Sequence, residues 1–356
     1  MNNNIYQYIT SNLTDAAKQS DTIMQQYTAD DSKEKAAYLN TSVSCQLSTL
    51  LSKLTDPNNI YYSTGFEKLD KIMGGGLEPA SLTVIGGVAG MGKTTLAMQM
   101  SYYISKTYRK DVLFLPLEMT EFQMQVKLIS MLTASLAKQR VGNTTPPLSA
   151  NQIRNSQKWH ELSQDAAELY VAAVKELQSN PYLYFHCPKG KATPETIRNC
   201  VKRHKDLTGE SPILFVDYLQ YIKPDKATAT DKQAVDCAVE VLKEISIEYD
   251  TPVVALSSLS RTAYNTPSIG AAKGSGEIEY TASTVLLLTP PADGAEEKAK
   301  NIDSKKAVAP GRFIPSTKKL QLTAVKNRSA SSNCYMPLNF WENCNFFTEV
   351  EQQLKK

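Results

Sequence analysis

Gly87-Val-Ala-Gly-Met-Gly-Lys93-Thr94 has the residue types and the G-x-x-x-x-G-K-T spacing of a loop that holds phosphates. Gly87, Gly90 and Gly92 allow main-chain N–H groups to turn inward around phosphate oxygens. Lys93 can reach the β- and γ-phosphates, and the Thr94 hydroxyl can sit on a metal ion, with Thr95 in the same turn. The ligand class is a nucleoside triphosphate with a divalent metal.

Further residues extend this chemistry. Ile213-Leu-Phe-Val-Asp217 is an apolar run ending in a carboxylate, which places Asp217 to support the Mg²⁺ shell. Glu118 ends a second such run, Val112-Leu-Phe-Leu-Pro-Leu117. There it can orient a water for attack on a γ-phosphate, or serve only as an acidic partner of the next helix N-terminus. Ser257 and Ser258 end a third run, where hydroxyls can sense a γ-phosphate or simply cap the following helix. Lys326 and Arg328 flank Asn327 after a late apolar run. On an extended segment they point the same way, and cations so placed can stabilise a phosphoryl transition state. As an isolated pair they read better as solvated surface charge.

These groups need rigid elements to hold them. From Tyr61 onward apolar runs alternate with helical patterns, the signature of a parallel sheet covered by helices. Strands are expected at Ser81–Ile85, Val112–Leu117, Tyr182–Phe185, Ile213–Val216, Val253–Leu256, Thr284–Leu288 and Leu320–Val325. A helix is expected after Thr94, pointing its N-terminus at the anion. A long helical stretch is expected from Glu121 to Gln178, broken near Asn143–Pro147, and another helix from Asp231 to Tyr249. Residues 290–318 read as a surface insertion. Residues 1–60 are polar and helix-prone. Their best helical face, Val43, Leu47, Leu50, Leu51 and Leu54, suits docking on a neighbouring subunit or packing back on its own core.

The 356 residues are 42% apolar, enough for a sizeable core. A formal net charge of +3 is too slight to indicate nucleic acid by itself. The six cysteines form no C-x-x-C pair, which argues against a zinc site and for reduced thiols. The absence of a signal-like start or an apolar run of membrane-spanning length leads to the expectation of a cytoplasmic protein without a membrane partner.

The motifs, taken in order, resemble the C-terminal motor domain of DnaB-type replicative helicases over about residues 61–350. They are Ser63-Thr-Gly-Phe66 with Leu69-Asp70 and Gly74-Gly75, the phosphate loop Gly87–Thr94, and Pro116-Leu-Glu118-Met119. Then come Val216-Asp217-Tyr218-Leu219-Gln220, Val253–Arg261, Ser275-Gly-Glu-Ile-Glu279 and Lys326-Asn-Arg328. The resemblance implies an α/β, RecA-like P-loop NTPase core with a mostly parallel sheet flanked by helices, spanning 61–356, and a short helical arm or linker at 1–60. It implies a homo-oligomer, a ring of six, that hydrolyses ATP with Mg²⁺ and moves 5′-to-3′ on single-stranded DNA beside replication proteins. By resemblance Lys93 and Thr94 bind phosphate and metal, Glu118 is the catalytic carboxylate, and Asp217 supports the metal. Lys326 and Arg328 would complete the site of a neighbouring subunit, and DNA contacts would fall near Lys223, Lys226, Lys232, Arg261 and Lys273. Two positions depart from the pattern: Ser258 stands where the family usually has a γ-phosphate-sensing Gln, and Lys273 where it usually has Arg. Residues 1–60 are expected to hold at most the linker helix, Thr41–Leu54, of the family's N-terminal half. The alternative reading is a nucleotide-gated assembly platform of the RecA or KaiC kind, or a helicase accessory or loader, without unwinding.

Overall fold

The computed structural model describes residues 7–15, 18, 41–43, 46–56, 60–139, 145–223, 230–258, 275–291, 317–332 and 334–350. The chain divides into two compact units, Met1–Ile60 and Tyr61–Lys356. In the first, helix α1 spans Leu47–Thr55 and ends at Asp56. It contains no buried residue, and its apolar Leu50 and Leu54 are exposed.

The second unit is built on one nine-stranded sheet. Its strands are β1 (Leu82–Gly87), β2 (Val112–Pro116), β3 (Leu183–Phe185), β4 (Ile213–Asp217), β5 (Val253–Ser258), β6 (Thr284–Thr289), β7 (Lys318–Asn327), β8 (Cys334–Trp341) and β9 (Phe346–Glu349). Their order is β3-β2-β4-β5-β1-β6-β7-β8-β9, parallel through β6 and antiparallel from there to β9. Strands β1, β2 and β4 are buried along their whole length, as expected for apolar runs covered on both faces. Phe114 and Phe215, on neighbouring strands, stack with ring centroids 5.7 Å apart in the centre of this core.

The covering helices are α2 (Glu67–Met73), α3 (Lys93–Tyr108), α4 (Glu121–Gln139), α5 (Ala150–Arg154), α6 (Gln164–Gln178), α7 (Pro194–Thr208), α8 (Asp231–Glu248) and α9 (Ser275–Thr281). One face of α8 is turned inward: Val235, Val239, Leu242 and Ile245 are all buried. The Ser63-Thr-Gly-Phe66…Asp70 motif closes the entry turn of α2. The Asp70 carboxylate accepts from Ser63 Oγ at 2.5 Å, Thr64 Oγ1 at 2.7 Å and the Thr64 N–H at 2.8 Å.

Three features differ from the sequence expectation. The stretch after Glu121 is not one broken helix but α4, α5, a 3₁₀ turn at Ser156–Glu161 and α6. Helix α7 is an addition, although Thr193 caps its start, Pro194 opens it and the left-handed Gly209 ends it. Strands β8 and β9 are additions too. Pro337 argues against a strand, yet β8 alternates buried Met336, Leu338 and Phe340 with partly exposed neighbours and pairs with β7. Most of the expected insertion, residues 292–316, lies outside the described residues.

Candidate nucleotide-binding site

The phosphate loop leaves β1 and enters α3, so the first turn of a sixteen-residue helix faces the cleft. Gly90 and Gly92 have φ of +80° and +85°, conformations that side chains with a Cβ rarely adopt. Gly92 is constrained twice over. A Cβ there would lie 2.9 Å from the rings of Phe340 and Phe347, which stack at 4.4 Å beneath the loop. The Lys93 ammonium donates to Gly87 O at 2.6 Å and Val88 O at 3.1 Å, so it lies folded over the loop that it would share with a phosphate. Burial pushes its pKa down, against the opposing pull of Asp217 and Glu118.

Asp217 is the last residue of β4, in register with Pro116, the last residue of β2, and Glu118 follows two residues past that strand end. The two carboxylates therefore emerge from adjacent parallel strands at one sheet edge. Asp217 is buried and its side chain hydrogen-bonds Thr94. Burial pushes its pKa up to about 6. The Thr94 bond opposes the shift, Glu118 adds to it, and Lys93 and Lys127 oppose it. Glu118 is exposed to solvent at the cleft mouth.

The cleft has a volume of about 390 Å³ and gathers Gly90, Gly92, Lys93, Thr94, Thr95, Glu118, Asp217 and Ser258. Ser258 ends β5 beside Gly87 of β1. A larger cavity of about 700 Å³ adjoins it, sharing Glu118 and running past Phe122, Cys187 and Tyr221 to Lys223. The smaller cleft is the candidate site, because the phosphate loop lines it and not its neighbour.

Sequence reasoning missed several residues of the cleft wall. Lys127, on α4, is a half-buried cation. Burial lowers its pKa, while Asp217 and Glu118 hold it up. It was legible in principle, since it interrupts the apolar face made by Met124, Leu128 and Met131. Phe340, Glu342 and Asn345 reach the cleft from β8 and the turn after it, elements whose strand signal Pro337 obscures.

Lys326 and Arg328 are not among the lining residues of this chain's own cleft. Both turn to the C-terminal end of α9. Lys326 Nζ donates to the carbonyls of Glu279 and Tyr280, and Arg328 Nη2 to Tyr280 O. Cations at a helix C-terminus complement its dipole. Burial and the neighbouring Arg328 lower the Lys326 pKa. Lys223 and Lys232 are exposed, the first just after the turn that follows β4 and the second in the first turn of α8. Lys226, Arg261 and Lys273 lie outside the described residues.

In chemical terms the cleft offers loop N–H groups, two lysines, a hydroxyl and a buried carboxylate. That donor set fits a polyphosphate with a divalent cation: Thr94 and Asp217 would supply oxygens for the cation and the lysines would oppose the phosphate charge. The sheet order and this cleft define a RecA-like P-loop nucleotide-binding core. The chain belongs to the DnaB-like helicase C terminal domain family, which matches residues 62–349.

Among known proteins it is similar to the replicative DNA helicase DnaB of Haemophilus influenzae, with 30% identity over 246 residues, 67% of this chain and 48% of that protein. The chain thus spans about half the length of the curated relatives it matches. Among solved structures, a separately solved ATPase domain superposes with a TM-score of 0.68 at 21% identity, covering 87% of this chain and 99% of that one. A DnaB-like replicative helicase, solved in a study of its interactions with primase, gives a TM-score of 0.68 at 18% identity, over 98% of this chain and 78% of that one. At these identities the superpositions establish the fold. Among the described residues no helix is long and apolar enough to cross a membrane.

Proposed function

We propose that this chain is an ATP-hydrolysing, ring-forming motor of the DnaB type that moves on single-stranded DNA and separates strands 5′-to-3′. One observation carries the reading: a phosphate loop, a buried metal-type carboxylate and a second, solvent-facing carboxylate share one cleft in a chain of this family. Gly87, Gly90, Gly92, Lys93, Thr94 and Thr95 hold the phosphates of ATP. Thr94 and Asp217 hold Mg²⁺, which when bound neutralises charge on the β- and γ-phosphates. Glu118 takes up or orients the proton of the attacking water, which its exposed position at the cleft mouth allows. Lys127 offsets the charge of both carboxylates, and Ser258 touches the terminal phosphate.

Lys326 and Arg328 act on the cleft of a neighbouring copy. They lie outside the cleft of their own chain, which leaves them for a neighbour's. The assembly is a homo-oligomeric, hexameric ring, with residues 61–356 as motor and residues 1–60 as a helical arm. The exposed Leu50 and Leu54 of α1 suit the arm to pack on the next subunit. Lys223, Lys226, Lys232, Arg261 and Lys273 are the DNA-binding residues, and the protein works in the cytoplasm with replication partners.

The test is ATP hydrolysis with and without single-stranded DNA, together with displacement of a labelled strand. Stimulation by DNA, strand displacement and loss of both in Lys93→Ala are expected. ATP-dependent assembly without displacement would favour a nucleotide-gated platform instead.

A further inference from the structure

Gln220 lies in the 3₁₀ turn Leu219–Tyr221, just beyond Asp217. Its carboxamide spans to the end of β5. Nε2 donates to Ser257 Oγ at 3.0 Å, and Oε1 accepts the Ser258 N–H at 3.1 Å. A carboxamide has one donating and one accepting end, and here each engages one of two consecutive residues.

The position of this bridge matters. β4 and β5 pair through Leu214 with Val253, Phe215 with Val254 and Val216 with Ala255. Past Ala255, β5 continues against β1, with Ser257 beside Gly86 and Ser258 beside Gly87. Ser257 and Ser258 are therefore held on one side by the strand that leads into the phosphate loop and on the other by the side chain of Gln220. Ser258 lines the nucleotide cleft. Tyr218, which also lines it, packs edge-on against Tyr221 with centroids 4.9 Å apart. From Tyr221 the chain runs through buried Ile222 to Lys223, in the wall of the adjoining cavity.

We propose that Gln220 is a positioning residue that carries the state of the nucleotide cleft, through Ser258 and the turn Leu219–Tyr221, to Lys223 in the wall of the adjoining cavity. The inference rests on the proposed function, because it assigns Lys223 to DNA and Ser258 to the terminal phosphate. A change in what the Ser258 side chain touches shifts its own N–H. Gln220 answers through Oε1, and the turn Leu219–Tyr221 moves with it. A side chain hydrogen-bonded to one segment and covalently part of the other is a contact through which such coupling can pass.

The test compares ATP hydrolysis with and without oligo(dT), and binding of a nonhydrolysable ATP analogue, in wild type, Gln220→Met, Gln220→Glu and Ser257→Ala. Met keeps the side-chain length and removes both hydrogen bonds. Glu keeps an acceptor for the Ser258 N–H and can accept from the Ser257 hydroxyl. Gln220→Met is expected to bind the analogue and hydrolyse ATP basally like wild type, while stimulation by DNA falls about tenfold. Gln220→Glu should retain stimulation to within about threefold, and Ser257→Ala, which removes one bond, should lose about threefold. Ser257→Ala decides the matter if Gln220→Met does not fold. Unchanged stimulation in Gln220→Met and Ser257→Ala would overturn the proposal. So would stimulated and basal rates falling together with analogue binding, or Glu behaving no better than Met. A wild-type protein whose hydrolysis ignores DNA would overturn the proposed function as well, which separates the two failures.

Discussion

The Arg328 guanidinium lies 2.5 Å from the carbonyl oxygen of Tyr280, at the C-terminal end of α9. Lys326 reaches the same helix end, so two cations separated by Asn327 converge on one pair of carbonyls. This contact predicts a separation of stability from activity. Capping of this kind on an exposed helix end contributes about 0.3–1 kcal/mol, so Arg328→Ala should change denaturation midpoints little. If Arg328 acts on a neighbour's γ-phosphate, the same substitution should lower hydrolysis by roughly 10³-fold. Urea unfolding and steady-state hydrolysis on one preparation check both. A rate within a few-fold of wild type would reduce Arg328 to a helix cap.

Lys127 faces Asp217 and Glu118 from α4 without belonging to the phosphate loop. Lys127→Met leaves the loop intact and removes positive charge from beside the two carboxylates. The turnover number should fall by about 10–100-fold, with smaller change in the affinity for a nonhydrolysable analogue. Steady-state kinetics with fluorescent-analogue titration separates the two effects. A pure loss of affinity would make Lys127 a binding group only.

Asp217 makes stability depend on pH in a defined direction. Its pKa is pushed up from 3.8 to about 6 in the folded chain, chiefly by burial. Within that window the folded state holds a proton that the unfolded state has lost, so stability falls as pH rises through it. Above about pH 6 the buried carboxylate is charged and its full cost is present; below the unfolded pKa both states are protonated and the cost is gone. Asp217→Asn should therefore stabilise the nucleotide-free protein by about 1–3 kcal/mol near pH 8. The gain should shrink toward zero as pH falls to about 4. Urea titrations with chelator present measure this difference. An Asn variant less stable than wild type near pH 8 would contradict it.

Gly92 combines a φ of +85° with ring atoms 2.9 Å from any added Cβ. Gly92→Ala is expected to cost about 2–4 kcal/mol, from backbone strain and displacement of the Phe340–Phe347 stack. Gly90 has the same handedness, but nothing lies within 4 Å of an added Cβ, so Gly90→Ala should cost about 1 kcal/mol. Thermal denaturation of the two variants side by side reads the contrast, and equal losses would show that the aromatic pair gives way freely.

Much of the cleft was legible because its residues end apolar runs. Asp217 and Ser258 follow stretches that must be buried strands, and Lys93 follows a loop with only one common use. Position in a parallel sheet then brings strand ends together, which is why residues distant in sequence meet. What stayed hidden depends on tertiary contact. Lys127 shows in the sequence as a lysine interrupting the apolar face of α4, but its place beside Asp217 and Glu118 emerges only once α4 is set over the cleft. Phe340 and Asn345 sit on strands obscured by Pro337 and on a turn with no motif. The Gln220 bridge depends on where one side chain reaches, which no spacing rule supplies. Helix α7, by contrast, carries its Thr193, Pro194 and Gly209 signals in plain order, and no physical cause hides it.

The hydrolytic site proposed above is shared between two copies of the chain. Its most direct test mixes Lys93→Ala subunits with Arg328→Ala subunits, each inactive alone. In randomly mixed rings roughly a quarter of the interfaces pair an intact Lys93 with an intact Arg328 from the neighbour. Hydrolysis should therefore reappear on mixing, well above either variant by itself. A mixture that assembles into rings yet stays as inactive as its components would contradict a site completed by Arg328 of the adjacent copy.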